Sequence, residues 1–434
     1  MSSSSKGNKS KGKRILSDTE DTLKAEPPKK KVFPIFNKSS GSQVSEDSSF
    51  MWKRHAILTS TCLYGSNLSP KLRSKIAAFD LDGTVIKWDP SGKDASFEYW
   101  NTKVPRMLKD VHDQGYSVVF FSNQNVHEKK LLIWKQKISS LARALHEVPF
   151  TLFAATAKDG FRKPMPGMWL ALEKIAQESG AQIDRDNSFF VGDAAGRKGD
   201  FSGTDRKFAE NLRLRFLTPE EHFLQQKPKE YTLQGTHISK LVPTTNKVDD
   251  PKEEEPPIPQ NKNIAELVLF VGSPASGKTT FYQKHFDPAG YIHVNQDKLG
   301  TRPKCLKLAE EQLKNGISCV IDNTNRDKKT RELYVRLAKS IGVPIRCFAF
   351  KTPKELAWHN NLYRSYCLPF LSPSPETNKK IVPYGAILGF ESAYEEPSTE
   401  EGFDEVRSIE WEPDFGDDPE KERLWNMWLQ IDGK

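Results

Sequence analysis

Short apolar runs alternate with amphipathic segments in two parts of this 434-residue chain, and this alternation constrains the fold more than any other feature. In the first part, strands are predicted at 76–81, 116–121 and 188–191, and helices at 105–114, 168–179 and 208–212. A strand, a helix and a second strand in that order predict a parallel sheet. We therefore predict an α/β domain at 51–240.

The alternation resumes after a segment rich in proline and acidic residues, LVPTTNKVDDPKEEEPPIPQ. This segment has no apolar face, so we predict a linker at 241–262. Beyond it, strands are predicted at 266–271, near 292, at 318–322 and at 345–350, and helices from Gly277, at 306–314 and at 328–341. The expected fold class is α/β, with two doubly wound parallel-sheet domains, the second at 263–434.

Residues 1–50 contain 12 serines, several lysine runs and no apolar periodicity, so we expect a disordered basic tail. The lysines at 29–31 follow two prolines and are typical of a nuclear import signal, which favours an import receptor as partner and a nuclear location. Solubilising charge is the alternative for these lysines. Further apolar residues could dock a partner protein; they are Val32, Phe33, Ile35 and Phe36.

The net charge of +8 is unevenly distributed, because residues 391–422 contain 14 acidic and two basic residues and the remainder carries +20. Clustered positive charge favours a polyanionic partner, and scattered surface lysines are the alternative. The acidic stretch also contains Phe403, Trp411 and Phe415. The sequence of this stretch is compatible with packing against the second domain and also with a mobile tail.

Several classes of protein are excluded by composition. The five cysteines form no Cys-x-x-Cys pair, which argues against a disulfide framework and a zinc ribbon. The apolar runs fall far short of the ~20 residues that cross a bilayer, and the N-terminus lacks the apolar core of a secretory signal. We expect an intracellular, monomeric protein with reduced thiols and no membrane association.

Polar side chains follow the predicted strands of the first domain. Asp80 and Asp82 end the first strand, and Ser122, Lys163 and Asp193 follow later ones. Because ligands of open parallel sheets bind at the carboxyl ends of the strands, these residues are expected to converge. Paired carboxylates, a lysine and a magnesium ion suit phosphoryl transfer. A calcium loop or a solvated turn is the alternative for an isolated Asp-x-Asp.

A phosphate-binding loop directly follows the first strand of the second domain, and a helix is predicted to follow the loop. Its backbone amides are expected to bind the phosphates of ATP, Lys278 to span the β- and γ-phosphates, and Thr279 to ligate magnesium. A chance glycine-rich turn is the alternative. The expected nucleotide-binding residues are Gly272, Ser273, Pro274, Ala275, Ser276, Gly277, Lys278, Thr279 and Thr280.

Three residues downstream complete the second candidate site. Asp297 is the candidate base for an acceptor hydroxyl, and Asp322 is a candidate for the magnesium shell; a helix N-cap is the alternative for each. Arg364 is the candidate lid arginine over the transferring phosphate. A solvated helix face is its alternative.

The first set resembles the haloacid-dehalogenase-type phosphatases. The resemblance implies that Asp80 is a nucleophile that forms an aspartyl phosphate and that Asp82 is the general acid and base. It implies that Thr84, Ser122 and Lys163 hold the phosphate and that magnesium binds Asp80, the Asp82 carbonyl and Asp193. Only about forty residues separate successive motifs, which is too short for a cap domain, so we expect an open pocket that admits the end of a polymer.

Both sets together, with GDAAGR at 192–197 and IDNTN at 321–325, resemble the bifunctional polynucleotide kinase 3′-phosphatases. The resemblance implies DNA repair through removal of 3′-phosphates and ATP-dependent phosphorylation of 5′-hydroxyls. DNA ends are the implied partner, and Mg²⁺ and ATP the implied cofactors. The residues before Met51 are too few for the forkhead-associated domain of some members, so a form lacking it is expected. A fused metabolic enzyme for small substrates and a silent DNA-end scaffold are the alternatives.

Overall fold

The computed structural model describes residues 49–124, 127–242, 258, 264–371 and 379–431 of the chain. The import signal Lys29–Lys31 and the docking residues Val32–Phe36 lie outside the described residues. The linker at 241–262 also lies outside them, except for residues 241, 242 and 258. The described residues form a first domain with a seven-stranded sheet and a second domain with a five-stranded sheet.

The first strand of the first domain begins at Phe50. Its strands are β1 Phe50–Lys53, β2 Cys62–Asn67, β3 Ile76–Phe79, β4 Ser117–Asn123, β5 Phe150–Ala155, β6 Phe189–Val191 and β7 Arg215–Leu217. Its helices are α1 Val104–Asp113, α2 Glu128–Ala144, α3 Gly167–Glu178, α4 Thr204–Leu212 and α5 Pro219–Leu224, and a 3₁₀ turn follows at Ile238–Lys240.

The sheet order of the first domain is β1-β2-β5-β4-β3-β6-β7. The five strands from β5 to β7 are parallel. The sequence predicts β3, β4 and β6 of this parallel part, whereas it did not predict β5, β7 or the antiparallel edge that β1 and β2 add. β2 lacks an apolar run because it contains Gly65 and ends in Ser66 and Asn67. Gly65 is required there, since a Cβ would lie 2.6 Å from the ring of Phe50.

Hydrophobic clusters cover both faces of this sheet. Phe79 and Phe120 belong to the cluster on one face, and Phe121 and Phe190 belong to the cluster on the other. Neighbouring residues of a strand point to opposite faces, so consecutive apolar residues are explained by burial on both sides.

The second domain has an all-parallel sheet in the order β12-β11-β8-β10-β9. Its strands are β8 Leu267–Val271, β9 Ile292–Val294, β10 Cys319–Asp322, β11 Ile345–Lys351 and β12 Glu405–Glu410. Its helices are α6 Lys278–His285, α7 Gln296–Leu299, α8 Arg302–Lys314, α9 Lys328–Ile341, α10 Lys354–Tyr366, α11 Leu368–Leu371, α12 Tyr384–Ser392 and α13 Pro419–Trp425, with a 3₁₀ turn at Thr399–Glu401. The α/β class is thus confirmed for both domains.

The acidic stretch at 391–422 packs against the second domain. It supplies the edge strand β12 and forms ion pairs with basic residues of that domain. Arg331 Nη2 lies 2.6 Å from Glu401 Oε1, and Arg346 Nη1 lies 3.5 Å from Glu405 Oε2. The stretch therefore neutralises part of the positive charge that the sequence assigns to the rest of the chain.

The two domains share a hydrophobic cluster. Met165 and Ile238 of the first domain pack with Leu362, Tyr363 and Trp425 of the second. Within the described part of the chain, no helix has both the length and the apolar character required to span a bilayer.

Candidate active sites

The first site lies at the carboxyl ends of the parallel strands. Asp80 directly follows β3, and its amide donates to the carbonyl of Val191 at 2.8 Å. Lys163, in the loop after β5, donates from Nζ to Asp80 Oδ1 at 2.6 Å and to Asp205 Oδ1 at 2.7 Å. All three side chains are buried, so the ammonium group joins two carboxylates away from bulk water.

Residues at the end of β4 hold the other side of this site. Gln124 Nε2 donates to Asp82 Oδ2 at 2.7 Å and to Ser122 Oγ at 2.8 Å, and Ser122 Oγ lies 3.5 Å from Asp82 Oδ2. Asn123 exchanges two hydrogen bonds with the backbone of Lys163, at 2.9 and 3.0 Å. Three consecutive residues therefore fix Asp82 and the backbone that carries Lys163.

Two glycines allow the acidic residues to approach the backbone closely. Gly83 has φ +91°, and a Cβ there would lie 2.3 Å from Asp193 Oδ2. A Cβ at Gly192 would lie 2.5 Å from Asp205. Thr84 is buried and donates to Asp193 Oδ1 at 3.4 Å. The structure thus brings Asp80, Asp82, Thr84, Ser122, Lys163 and Asp193 into one pocket.

The first site holds more negative than positive charge. Burial raises the pKa of Asp80 well above its usual value, and the neighbouring Asp205 and Asp193 add to this rise. Burial, followed by the charge of Asp205, raises the pKa of Asp193 to about 7. Burial by itself would lower the pKa of Lys163, but the charges of Asp205 and Asp80 more than offset it, and the pKa lies above its usual value.

The excess of negative charge in the first site shows whether a divalent cation would fit there. Ligand oxygens of Asp80, Asp193 and Asp205 lie within 4.8 Å of one another, and carboxylates are the donors that Mg²⁺ prefers. A cation there would offset the mutual repulsion of these carboxylates, which adds to burial in raising the pKa of Asp80 and of Asp193, so the residues fit the ion. The sequence-based assignment of the Asp82 carbonyl as a ligand stays a prediction.

Sequence reasoning did not assign two residues of the first site, Asp205 and Gln124. Asp205 lies in the first turn of α4 and contacts Lys163 across 42 positions of sequence, which no local pattern could indicate. Gln124 offered a usable signal, because it lies two positions after Ser122, and residues at this spacing along an extended segment face the same way.

The second site is a loop between β8 and α6. Ala275 and Gly277 have φ of 63° and 91°, and these left-handed conformations turn the backbone around a concave surface. Gly272 is closely packed, since a Cβ there would lie 2.8 Å from Ser276 Oγ. Lys278 Nζ donates to the carbonyls of Gly272 and Ser273 at 3.0 and 2.7 Å, so its ammonium group folds back across the loop.

Lys278 and Arg364 are cations in a buried setting. Burial lowers the pKa of Lys278 to about 8 and lowers that of Arg364. The Nε of Arg364 and the hydroxyl of Ser273 are buried with no hydrogen-bond partner among the described residues. A bound polyphosphate would supply both the missing acceptors and the missing negative charge, so the loop fits a nucleotide.

Asp322, at the end of β10, lies beside the loop. Thr279 Oγ1 donates to Asp322 Oδ2 at 2.6 Å, and His293 Nε2 lies 2.9 Å from the same oxygen. Burial by itself would raise the pKa of Asp322, but His293, Lys278 and Thr279 together hold it below its usual value. Thr279 and Asp322 therefore form a pair that suits a magnesium ion. The sequence analysis did not assign His293 to this site. The ring of His293 stacks on that of Tyr282, with the ring centroids 4.3 Å apart.

Helix capping does not explain either candidate aspartate. The N-cap of α7 is Asn295, whose side chain accepts from the amides of Asp297 and Lys298. The N-cap of α9 is Asp327 rather than Asp322. Asp297 is exposed and close enough to Lys278 and Arg364 to influence the pKa of both.

A cavity of ≈ 850 Å³ opens beside the loop. It is lined by Ala275 to Thr280, by Arg364 on α10 and by residues 409–415 of the acidic stretch. Trp411 closes one side, with its Cδ1 3.2 Å from the position of a Cβ on Gly277. Gly272, Ser273 and Pro274 form the preceding part of the loop. The predicted loop residues and Arg364 thus converge, while Asp297 is exposed and does not line the cavity among the described residues.

Comparison with known proteins accounts for both domains. Residues 75–223 match the family described as "Polynucleotide kinase 3 phosphatase", and residues 267–304 and 301–366 match the family described as "AAA domain". Over 425 residues the chain is 35% identical to the bifunctional polynucleotide phosphatase/kinase of Schizosaccharomyces pombe, which covers 93% of this chain and 98% of that protein. The chain belongs to the bifunctional polynucleotide phosphatase/kinase family.

Other relatives extend this phosphatase/kinase family assignment. A protein of Acanthamoeba polyphaga mimivirus is 31% identical over 396 residues, covering 82% of this chain and 90% of its own. The polynucleotide 3′-phosphatase of Saccharomyces cerevisiae is 30% identical over 207 residues, covering 34% of this chain and 87% of its own. The resemblance inferred from the motifs is therefore confirmed at the level of the phosphatase/kinase family.

Proposed function

We propose that the protein is a DNA end-processing enzyme of strand-break repair. The first site removes a 3′-phosphate, and the second transfers the γ-phosphate of ATP to a 5′-hydroxyl, which leaves ends that a ligase can seal. The observation that carries the proposal is the presence of two complete residue sets, each at the carboxyl edge of its own sheet, in one chain of this family.

In the first reaction, an oxygen of ionised Asp80 attacks phosphorus, so that a bond to Asp80 forms and the bond to the 3′-oxygen breaks. Asp82 donates a proton to that leaving oxygen, and burial raises its pKa, which supports a protonated carboxyl group. Water then attacks the phosphorus of the aspartyl phosphate and returns a proton to Asp82. The net reaction converts the phosphate ester and water into the 3′-hydroxyl and inorganic phosphate.

The remaining residues of the first site hold charge in place. The charge of Lys163 opposes the rise that burial causes in the pKa of Asp80 and neutralises the phosphoryl group. Asp205 orients Lys163 through the 2.7 Å contact. Thr84 and Ser122 donate hydrogen bonds to phosphoryl oxygens. Mg²⁺ would be held by Asp80, Asp193 and the Asp82 carbonyl, and it would supply positive charge to the same oxygens.

In the second reaction, the loop amides and Lys278 bind the phosphates of ATP. Asp297 accepts the proton of the 5′-hydroxyl, whose oxygen bonds to the γ-phosphorus as the bond to ADP breaks. Arg364 neutralises the charge that develops on the transferred group. Thr279 and Asp322 would hold the Mg²⁺ that accompanies the nucleotide.

The direct test is an assay on DNA duplexes that carry either a 3′-phosphate or a 5′-hydroxyl, with and without ATP. We expect phosphate release without ATP from the first duplex and ATP-dependent labelling of the second. Absence of both reactions from folded protein would favour a silent scaffold and contradict the proposal.

The salt dependence of affinity tests for a polymer substrate. Each phosphate that the protein contacts should lower the logarithm of affinity by about 0.7 to 0.9 per decade of salt. The short insertions support this expectation. Among the described residues, 84–103 contain only the bridges of Ile86 to Asp82 and to Tyr99, and 127–149 contain a single helix. A flat salt response, or faster turnover of small phosphomonoesters, would favour the metabolic alternative.

We also propose a nuclear location, because chromosomal breaks are repaired there and Lys29, Lys30 and Lys31 are typical of an import signal. Changing these lysines to alanine should shift a tagged protein toward the cytoplasm and leave both activities unchanged. Unchanged nuclear enrichment would remove the import interpretation.

The segment from Val32 to Phe36 is proposed as a docking site for a repair protein. A pull-down with this segment deleted would test that proposal.

A further inference from the structure

The loop that carries Lys163 is fixed on one side by its own domain. Asn123 holds the backbone amide and carbonyl of Lys163 at 2.9 and 3.0 Å. The next residue, Pro164, is held by Asn211, whose Nδ2 donates to the Pro164 carbonyl at 2.9 Å. Asn211 belongs to α4, the same helix that supplies Asp205.

The remaining hydrogen bonds of Asn211 reach into the second domain. Its Nδ2 donates to the carbonyl of Trp428 at 2.8 Å, and its Oδ1 accepts from the amide of Trp428 at 2.7 Å. Asn211 is buried, and these three bonds occupy both amide hydrogens and the carbonyl oxygen. One side chain therefore joins the backbone beside Lys163 to the C-terminal segment of the chain.

Helices α10 and α11 of the second domain contact the same loop. The hydroxyl of Tyr366 donates to the carbonyl of Lys158 at 3.1 Å, and the ring of Phe370 lies 5.3 Å from that of Phe161. The contact is close, because a Cβ at Gly160 would lie 2.7 Å from the Tyr366 carbonyl. A Cβ at Gly167 would lie 2.7 Å from Phe370.

We propose that the second domain positions Lys163 for the chemistry of the first site, and that Asn211 is the positioning residue that transmits this contact. The proposal rests on the proposed function of Lys163 in phosphate removal. It makes phosphate removal dependent on residues that lie more than two hundred positions away in the other domain.

The expected kinetic effect follows from the geometry of Lys163. Its ammonium group makes contacts of 2.6 and 2.7 Å to two carboxylates, which leaves little freedom before one contact is lost. A small displacement would weaken stabilisation of the developing charge in the transition state, while the rest of the DNA end binds as before. The turnover number should therefore fall, and KM should hardly change.

The main variant is Asn211→Leu, which has a similar volume and cannot form the three hydrogen bonds. We expect the kcat of phosphate release to fall about tenfold to a hundredfold, as a displacement of about 1 Å can produce. KM and ATP-dependent kinase activity of the same preparation should stay within about twofold. The matched control is Glu210→Gln, since Glu210 accepts from the indole of Trp428 at 3.0 Å and forms no side-chain hydrogen bond to the Lys163 loop among the described residues. Tyr366→Phe, which removes one hydroxyl on the second domain, should lower kcat about twofold to fivefold.

A double-mutant cycle with Lys163→Ala separates positioning from loss of stability. An aryl phosphate with a good leaving group keeps the residual turnover measurable. If Asn211 acts through Lys163, Asn211→Leu should have no further effect when Lys163 is absent. An equal effect in both backgrounds, or a parallel loss of both activities with the folded fraction, would overturn the inference.

The same experiment distinguishes the inference from the proposed function. Unchanged phosphate release by Asn211→Leu, beside an active wild type, would overturn the inference alone. Failure of the wild-type chain to release phosphate from DNA ends or from the aryl phosphate would overturn the proposed function, and the inference with it.

Discussion

The two candidate sites have opposite electrostatic character. In the first, Asp80 and Asp193 have raised pKa values, because burial disfavours their charged forms and the neighbouring carboxylates add repulsion that Lys163 only partly offsets. In the second, Lys278 and Arg364 have lowered pKa values, because burial leaves these cations short of negative charge.

This difference shows what each site must receive. In the proposed function, the first site supplies its own nucleophile and requires positive charge before it can hold an anionic phosphate. The second site supplies backbone amides and cations, and the missing negative charge would arrive with the nucleotide. On this proposal, two sites that handle the same chemical group have opposite charge deficits, because the attacking atom belongs to the protein in one and to the substrate in the other.

Removing one central group from each site should produce the largest effects. Asp80→Ala should lower 3′-phosphate release by at least about a thousandfold and leave 5′-phosphorylation within about twofold, and Lys278→Ala should do the reverse. Paired assays on one preparation measure both rates. Exposed Asp94→Ala and Lys314→Ala serve as controls. Loss of both activities from either substitution in folded protein would contradict two independent sites.

Adding a single methyl group to a glycine in each site should have a smaller effect. Gly83→Ala would place a Cβ 2.3 Å from Asp193, so we expect phosphate release to fall about a hundredfold. In Gly277→Ala the added Cβ would lie 3.2 Å from Trp411, which is a milder collision, so kinase activity should fall about tenfold. Gly115→Ala is the matched control, because φ is +88° and nothing lies within 4 Å. An equal loss from Gly115→Ala would show that backbone strain, rather than collision in the site, is responsible.

Gln124→Leu should sharpen the account of Asp82. Burial raises the pKa of Asp82, and the hydrogen bond from Gln124 opposes this rise. Its removal should therefore raise that pKa further and move the high-pH limb of the phosphatase rate profile, where Asp82 loses the proton that it donates to the leaving oxygen, to higher pH, with kcat about tenfold lower. Kinase activity and the exposed control Gln114→Leu should not change. A profile that does not move would show that Asp82 does not control that limb.

A further expected effect concerns stability rather than activity, at mildly acidic pH, with one histidine in each domain. Burial lowers the pKa of His222 and of His359 to about 4. Each contributes its full stability above the unfolded pKa of about 6.5, and this contribution is lost as pH falls toward 4, because the unfolded chain binds the proton first. Between pH 7 and pH 5 the loss should be roughly 2 kcal/mol per histidine. Chemical unfolding of His222→Phe and His359→Gln should show a flatter dependence on pH, and an unchanged slope would contradict the burial argument.

Much of the fold was predictable because burial on both faces of a parallel sheet leaves apolar runs in the sequence. The central strands β3, β4, β8 and β10 were recognised in this way. β2 was missed because Gly65 and the polar residues at the end of the strand obscure its apolar pattern. The position of β2 in the sheet depends on the contact of Gly65 with Phe50. β12 was missed because an edge strand rich in glutamate is stabilised by distant arginines.

The same distinction applies to the sites. The sequence by itself determined the phosphate-binding loop, the aspartate pair and the strand ends that carry them, because these are local patterns with fixed spacing. Only the tertiary structure decided that Asp205 contacts Lys163 and that Asn211 joins the Lys163 loop to Trp428. It also decided that the acidic stretch lines the second site. These contacts join residues that are far apart in sequence, and their energies depend on burial and charge, which only the packed chain defines.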